Sequence, residues 1–264
     1  METYRIESDL FLCIGDAYDS NSTVFLNGSE ALLIDTLANR KDARELKNFV
    51  ENKLQTVVRF IVCTHYFSDH IAGLKLFPES QILAHRNYLH TFDSELHRSE
   101  EEASHFAEPT ILVSDNLTLR WGRFTLNLFY NPAHTMGELN IDIPEADLIH
   151  VGDTLVGNMV YFKYSSPAAF RIALEEIRRR GRKNLLSSHS NVRTIDSVDF
   201  ASYYLNSLQQ KSQEAWNNGS EQSISTIELN DCYPKGVSGT PFENIFHKRN
   251  LHSIVEKKYF VSER

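Results

Sequence analysis

The chain has 264 residues, 41% of them hydrophobic and 23% charged, which is typical of a soluble globular protein with a full core. Its formal net charge of −8 repels a phosphate backbone, and no apolar run is long enough to cross a bilayer, so we expect neither a nucleic-acid nor a membrane partner. Three scattered cysteines cannot form a disulfide framework, and residues 1–8 lack the apolar core of a signal peptide, so we expect a cytoplasmic protein.

The first half of the sequence predicts short β-strands around one clear helix. Apolar residues at helical spacing predict a helix over residues 40–54. A short helix is expected over about residues 69–77, and residues 85–101 are charged and helix-like. The strands are expected at residues 10–13, 22–25, 31–34, 57–63 and 81–84.

Strands and helices continue to alternate in the second half. Strands are expected at residues 117–119, 124–130, 140–143, 148–151 and 184–188, and helices at 167–180, 195–215 and 250–258. Together with the β-rich start, this alternation favours an α/β protein with two sheets packed face to face and helices outside. Because no linker interrupts the pattern, we predict a single domain over residues 1–264, with a helical C-terminal extension from about 194–264.

Polar side chains with metal-binding chemistry follow the predicted buried strand 57–63. Residues 64–70 spell Thr-His-Tyr-Phe-Ser-Asp-His, which places two imidazoles and a carboxylate within six residues. The ends of strands are where functional residues gather on an α/β scaffold. A lone His in a loop, or Asp69 as a helix N-cap, would carry no such meaning.

The same chemistry recurs after other predicted strands. His134, Asp153 and His189 each follow directly on a strand of the second half. Neutral imidazole and carboxylate are ligands suited to zinc, iron or manganese. Strand ends that meet at one edge would bring these side chains around one or two ions.

These motifs in this order resemble the metallo-β-lactamase superfamily. The family signature runs Thr-His-x-His-x-Asp-His, Pro-x-His-Thr-x-Gly, Gly-Asp-Thr and a final His, and the resemblance spans about Val24 to His189. It implies a four-layer αββα sandwich with a metal site at one edge. It further implies that Asp35, in the matching segment 33–36, orients the site from behind the ligands. The ligand set implied is His65, Asp69, His70, His134, Asp153 and His189.

The sequence departs from the signature at Phe67, where the family usually has His. By the resemblance, Phe67 falls in the first metal position with His65 and His134, and Asp153 would bridge to the second. The second position keeps its own ligands, Asp69, His70 and His189. Three outcomes stay open. The chain could bind one ion, it could bind two ions with water completing the first position, or it could be a degenerate member that binds little metal. Buried, unpaired imidazoles and carboxylates are costly without a metal, which argues against degeneracy.

Residues around the motifs carry further expectations. Phe67 and Tyr66 are predicted to line a substrate pocket, and His150 to be a core residue or a partner of the ligands. The remaining aromatic candidates for the pocket are Tyr161, Phe162 and Tyr164. The histidines of the segment after residue 84 are expected on the surface, with His105 the candidate to replace the missing ligand. The others in that segment are His85, His90 and His97.

The resemblance implies a metal-dependent hydrolase of a small ester, thioester, lactone or lactam, with zinc as the expected ion and iron or manganese as alternatives. The metal would lower the pKa of a bound water and polarise a carbonyl group. Asp69 would position that water or shuttle its proton. An iron-dependent oxidoreductase and a non-catalytic ligand-binding protein are the rival functions. The expected partner is a small-molecule substrate, and the sequence leaves a homo-oligomer open.

Overall fold

Two β-sheets organise the computed structural model, which describes residues 1–189 and 191–261. The first sheet contains β1 (Glu2–Glu7), β2 (Leu10–Ile14), β3 (Asn21–Asn27), β4 (Glu30–Ile34), β5 (Val57–Val62), β6 (Gln81–His85) and β7 (Ile111–Val113), in that order. The second contains β8 (Asn116–Trp121), β9 (Phe124–Tyr130), β10 (Leu139–Ile143), β11 (Leu148–His150), β12 (Asn184–Leu186) and β13 (Arg193–Thr194), with β13 and β8 at its edges.

Helices flank the two sheets. They are α1 (Arg40–Lys47), α2 (Tyr88–Ser94), α3 (Glu100–Ala103), α4 (Pro167–Arg179), α5 (Asp196–Asn217), α6 (Glu221–Ile224) and α7 (Pro241–Lys257). The helix predicted over residues 40–54 continues past α1 as the wider π-helical segment Asn48–Lys53. In the described part of the chain, no helix combines the length and the apolarity that a membrane span requires.

Successive side chains of each strand point to opposite faces of its sheet, so they belong to different layers of the core. Leu32 and Ile34 of β4 belong to the cluster between the sheets, whereas Leu33 belongs to the cluster that contains Leu46 of α1. On the far side, the second sheet shares a cluster with α4, α5 and α7; its members include Ile149, Phe170, Leu185, Ala201 and Leu251. These layers are the predicted αββα sandwich, and the helices of the predicted C-terminal extension pack on its second sheet.

The carboxyl ends of the parallel strands bring the sequence motifs together. In the first sheet β4 pairs in parallel with β5, and in the second β11 pairs in parallel with β12. Backbone hydrogen bonds then join the two edges. Leu139 N of the second sheet donates to Thr64 O at 2.7 Å, and Asn21 N of the first sheet donates to Ser188 O at 2.8 Å. The loops that carry the motifs therefore meet at one edge of the sandwich.

The helix predicted over residues 69–77 is wrong. Only Leu74–Leu76 form a 3-10 turn within this segment. Two of its backbone groups bond to the loop after β4 instead of continuing a helix: His70 O accepts from Thr36 N at 2.7 Å, and Ala72 N donates to Leu37 O at 3.2 Å. The segment is thereby tied to the loop after β4.

Other boundaries differ where the apolar pattern is weak. The pattern does not predict β1, a mostly exposed polar edge strand, or the three-residue β7. The helix-like segment 85–101 forms α2 and α3. Helix α7 begins at Pro241 and not at residue 250, because Thr240 and Glu243 form a capping box.

Helix α7 is fixed to the loop after β11 through buried polar side chains. Asn250 Nδ2 donates to Val160 O at 2.7 Å, and Asn250 Oδ1 accepts from Phe162 N at 3.1 Å. Nearer the start of the helix, Glu243 Oε1 accepts from Asn158 N at 2.6 Å. These bonds satisfy backbone groups of a buried loop, so the position of the helix and that of the loop depend on each other.

We therefore expect Asn250→Ala to lower the free energy of unfolding by about 2–4 kcal/mol, because it leaves a buried N–H and a buried C=O without partners. Urea denaturation followed by circular dichroism measures this change. The control is Lys248→Ala at an exposed position of the same helix, which should change stability by less than about 0.5 kcal/mol. Equal stabilities for the two variants would show that the loop does not depend on Asn250.

Candidate metal centre

The predicted ligands converge into two groups within the described residues. The first group is His65, His134 and Asp153, and the second is Asp69, His70 and His189. Within each group the candidate ligand atoms lie within 4.8 Å of one another. Asp153 also contacts the second group, since its Oδ2 lies 3.3 Å from His189 Nε2 and 3.7 Å from His70 Nε2. The predicted bridging position of this carboxylate thus fits the geometry.

Each imidazole is oriented by its Nδ1 atom. In the first group, Nδ1 of His65 lies 3.1 Å from Thr64 Oγ1, and Nδ1 of His134 lies 3.4 Å from Tyr161 O. In the second group, Nδ1 of His70 lies 3.2 Å from Asp35 Oδ2, and Nδ1 of His189 lies 2.8 Å from Tyr18 O. The opposite ring nitrogens therefore face the cluster. Outer partners of this kind fix the tautomer and orientation of histidines that bind metals.

Buried polar atoms without partners mark the centre of the cluster. The Nε2 atoms of His65, His70 and His134, and Oδ1 of Asp153, have no hydrogen-bond partner among the described residues. Buried polar groups are normally paired, and an unpaired one costs about 1–3 kcal/mol. Imidazole nitrogen and carboxylate oxygen are suitable ligands for zinc, iron and manganese. The residues present therefore fit a divalent metal.

Positive charge is favoured most strongly in the second group. Burial disfavours protonation of His70, but the carboxylates of Asp69 and Asp153 outweigh it and raise its pKa well above the usual value. Burial also opposes protonation of His189, and Asp153 again prevails and raises its pKa. In the first group, burial lowers the pKa of both imidazoles. The second group therefore favours positive charge, and a cation bound there would replace the protons of its imidazoles.

Asp35 lies behind the candidate ligands. Its Oδ1 accepts from Thr64 N at 2.8 Å, and its Oδ2 accepts from Thr64 Oγ1 at 2.8 Å and from Ser188 Oγ at 3.1 Å. The same Oδ2 lies 3.2 Å from His70 Nδ1. Its φ of 55° is in the left-handed region, a conformation that costs about 1–3 kcal/mol and persists only where the surroundings hold it.

Glu138 is a buried site residue that the sequence reasoning missed. Its Oε1 accepts from Asp153 N at 2.9 Å, and its Oε2 lies 3.8 Å from His65 Nδ1. Burial, together with the nearby Asp153, raises the pKa of Glu138 well above its usual value. Gly152 makes room for this side chain, since a Cβ there would lie 2.1 Å from Glu138 Oε1. The available signal was a carboxylate directly before the apolar strand that follows the His134 motif.

The family model of the metallo-beta-lactamase superfamily matches residues 15–189, the stretch that contains every one of these ligands. This chain belongs to the metallo-β-lactamase superfamily. The resemblance seen in its sequence motifs is thereby confirmed.

Sequence relatives agree with this membership. The metallo-beta-lactamase type 2 of Bacillus cereus is 26% identical over 148 residues, which cover 56% of this chain and 55% of that protein. The hydroxyacylglutathione hydrolase of Brucella ovis is 26% identical over 153 residues, which cover 57% and 52%. The chain thus spans about half the length of the curated relatives it matches.

The solved structures show likeness of fold. The metallo-beta-lactamase from Pontibacter korlensis superposes with a TM-score of 0.63 at 15% identity, over 75% of this chain and 95% of that one. The stereoselective inverting sec-alkylsulfatase from Pseudomonas sp. superposes with a TM-score of 0.73 at 13% identity, over 99% of this chain and 50% of that one.

Phe67 contacts the first group directly. Its ring centroid lies 5.1 Å from that of His65 and 5.4 Å from that of His134, both edge to face. The ring is buried, so this side of the first group is apolar. A phenyl ring offers no ligand atom, so the candidate ligands of the first group are His65, His134 and Asp153 alone among the described residues.

Tyr66 does not line the site. Its ring packs in the core beside Tyr88 and Phe106, and its hydroxyl donates to Ala107 O at 2.7 Å. Phe162, another pocket candidate, is fully buried against Tyr259. Phe67 therefore faces the metal groups and Tyr66 faces away from them.

Tyr161 and Tyr164 do lie at the site, and α7 adds two rings that the sequence reasoning missed. The ring of Tyr161 lies 5.9 Å from His134, and that of Tyr164 lies 4.9 Å from Phe67. Phe242 lies 5.6 Å from His189, and Phe246 lies 4.9 Å from Tyr161. The sequence pattern does not indicate Phe242 and Phe246, because it predicts this helix only from residue 250.

Of the other histidines that the sequence analysis considers, some are exposed and some are buried. His90 and His97 are exposed, as expected. His85, expected on the surface, is buried and stacks on Tyr130 at 4.0 Å. His105 is also buried; its Nδ1 lies 3.2 Å from Ser68 O, and it belongs to neither metal group among the described residues. Burial lowers the pKa of His150 to about 4, which fits the predicted core residue.

We expect the wild-type chain, stripped with a chelator, to bind one zinc ion at least about tenfold more tightly than a second, because Asp153 adds a fourth candidate ligand to the second group whereas Phe67 adds none to the first. Competition against a chromophoric chelator measures both affinities. His189→Ala should abolish the tight site, whereas the matched change His134→Ala should weaken chiefly the second ion. Two ions of equal affinity in the wild type would contradict this assignment.

A companion expectation concerns Phe67→His. The new imidazole should add a ligand to the first group, so we expect the second ion to bind at least about tenfold more tightly. The same competition titration reports the change, with Phe67→Leu as an apolar control that should behave like the wild type. An unchanged second affinity in Phe67→His would mean that residue 67 does not face the first group.

Proposed function

We propose that the chain is a metal-dependent hydrolase of a small ester, thioester, lactone or lactam, with zinc as its ion. The observation that carries this proposal is the buried set of unpartnered imidazole and carboxylate atoms at the meeting point of the strand ends. Membership in the metallo-β-lactamase superfamily supports it. So do the printed names of the relatives, which describe a β-lactamase and a hydroxyacylglutathione hydrolase.

A bound divalent ion would lower the pKa of a water molecule and polarise a carbonyl group. The chain supplies the groups that hold the water and receive its proton. Asp69 suits this role because its side chain is 26% exposed, whereas that of His70 is fully buried. Its oxygens lie 3.4 Å from His70 Nε2 and 3.7 Å from His189 Nε2, so it borders the second group from the solvent side.

The turn that carries Asp69 is held by two outer residues. Glu95 accepts from Ser68 N at 3.0 Å and from Ser68 Oγ at 2.7 Å, and His105 contacts the carbonyl of the same residue. Ser68 lies between Phe67 and Asp69 in the chain. The contacts that Glu95 and His105 make to Ser68 therefore hold both the apolar and the acidic side of the site in place. Fixed geometry of this kind is what positions a nucleophile for attack.

Phe67 restricts water on the opposite side. Its buried ring covers the imidazoles of the first group, and Tyr164 packs behind it at 4.9 Å. An apolar wall lowers the local dielectric and strengthens the interactions of charged groups inside the site. We infer that the phenyl ring is part of a working site and that the chain has not simply lost a ligand.

The proposal is tested by elemental analysis of protein purified without added metal, followed by assays on ester, thioester, lactone and lactam substrates. We expect zinc, and hydrolysis of at least one class that is lost with chelator and restored by zinc. Asp69→Asn should lower kcat/KM by at least about 100-fold and weaken metal binding, because the variant keeps its shape but loses its charge.

The control is Asp93→Asn, an exposed carboxylate on α2, which should retain wild-type activity. Full activity in Asp69→Asn would place the chemistry elsewhere. Iron without hydrolysis would favour the redox alternative, and neither metal nor activity would favour a ligand-binding protein.

A further inference from the structure

Helix α7 has a buried face and an outward face that carry different kinds of side chain. One face is buried in the core and carries its anchors; it includes Glu243, His247, Asn250, Leu251 and Ile254. The other carries Phe242, Ile245, Phe246 and Arg249, at the i, i+3, i+4 and i+7 spacing that places side chains on one side of a helix. We call these four residues the α7 stripe. They are half-buried or exposed, although three of them are large and apolar.

The α7 stripe lies along the metal groups. The ring of Phe242 is 5.6 Å from His189 of the second group and 4.9 Å from Phe246. Phe246 is 4.9 Å from Tyr161, whose ring is 5.9 Å from His134 of the first group. The helix therefore spans both halves of the site.

The rings continue beyond the helix to form an arc. Tyr161 lies 6.2 Å from Tyr164, which lies 4.9 Å from Phe67. The aromatic arc thus runs from the second metal group, along α7, to the first. Surfaces lined by aromatic rings with a few polar groups are typical of sites that bind small organic ligands.

A cation stands at one end of the α7 stripe. The guanidinium carbon of Arg249 lies 5.2 Å from the ring centroid of Phe246, and Arg249 is exposed. Burial raises the pKa of the Tyr161 hydroxyl, and the neighbouring Arg249 opposes that rise through its charge and a hydrogen bond. Arg249 forms no ion pair with a carboxylate in the described structure, unlike Arg59, Arg123 and Arg182.

A second cation stands by the same arc. The ammonium group of Lys163 lies 5.1 Å from the ring centroid of Tyr164, and it too has no carboxylate partner in the described part of the chain. Both positive charges flank the same aromatic surface. They attract and orient an anionic ligand. The planar fork of Arg matches a carboxylate, which it binds through two parallel hydrogen bonds.

We propose that the α7 stripe is the substrate-recognition wall, and that the substrate is an ester-type molecule with an apolar body and a free carboxylate. The body lies on the aromatic arc, the scissile carbonyl faces the metal groups, and the carboxylate pairs with Arg249. This inference rests on the proposed function for the reaction, but the recognition itself is a binding property of α7.

Matched substrates test the charge preference. They are 4-nitrophenyl esters of dicarboxylic acids of four to eight carbons, each compared with the same ester carrying a neutral terminal amide. We expect the wild type to favour at least one carboxylate by about tenfold in kcat/KM, and Arg249→Gln to bring that ratio close to one. Lys248→Gln removes the same charge from the adjacent exposed position, so it should retain the wild-type ratio.

Binding gives a readout independent of turnover. Isothermal titration with 4-phenylbutyrate and with its neutral amide should show at least about tenfold loss of carboxylate affinity in Arg249→Gln, and none in Lys248→Gln, at equal metal content. Phe246→Ala should weaken both ligands, because it removes part of the arc that they share. Circular dichroism confirms that each variant is folded.

The outcomes separate the two proposals. If the wild type hydrolyses esters but the ratio and the affinities do not depend on Arg249, the recognition wall is wrong and the hydrolase proposal stands. If no substrate is hydrolysed but carboxylate binding still depends on Arg249, the reaction proposal is wrong and the recognition wall stands.

Discussion

The carboxylate of Asp35 is the contact on which the arrangement of the site depends. It accepts hydrogen bonds from Thr64, at the end of β5, and from Ser188, at the end of β12, so it joins both sheets at a single point. It also orients His70. A buried charge costs several kcal/mol unless it is fully hydrogen-bonded, so the strand ends must stay in register around it. The distances between ligands follow from that requirement.

The site also contains buried polar groups whose hydrogen-bonding capacity is not fully used. Nδ1 of each candidate ligand histidine meets an acceptor, whereas Nε2 of three of them, and one carboxylate oxygen, do not find partners among the described residues. The carboxylates of Asp153 and Asp69 raise the pKa of His70 and of His189. A cation would compete with protons for these imidazoles, so metal affinity depends on pH.

The candidate ligands could be selected from the sequence because each lies in a loop that follows a strand whose apolar pattern is clear. Residues whose roles depend on distant partners could not. Glu138 matters through Asp153 and His65, His105 through Ser68, and Phe242 through His189. Tyr66 and Phe67 are adjacent and similar in chemistry, yet only one faces the site, since loop direction is set by tertiary contacts. The helix expected over residues 69–77 failed for the same reason: His70 O and Ala72 N bond to Thr36 and Leu37 in the loop after β4.

The division of α7 into two faces has a consequence for how this protein can change. Its anchors, Glu243 and Asn250, hold the helix to the loop over residues 158–162 from the buried side. The side chains of Ile245 and Arg249 lie on the other side, where exposed substitutions usually alter stability by less than about 0.5 kcal/mol. Mutation can therefore reshape the outer surface of the helix without shifting the backbone that supports it. Such a helix is open to evolutionary diversification, and to laboratory selection for altered ligands, at little risk to folding.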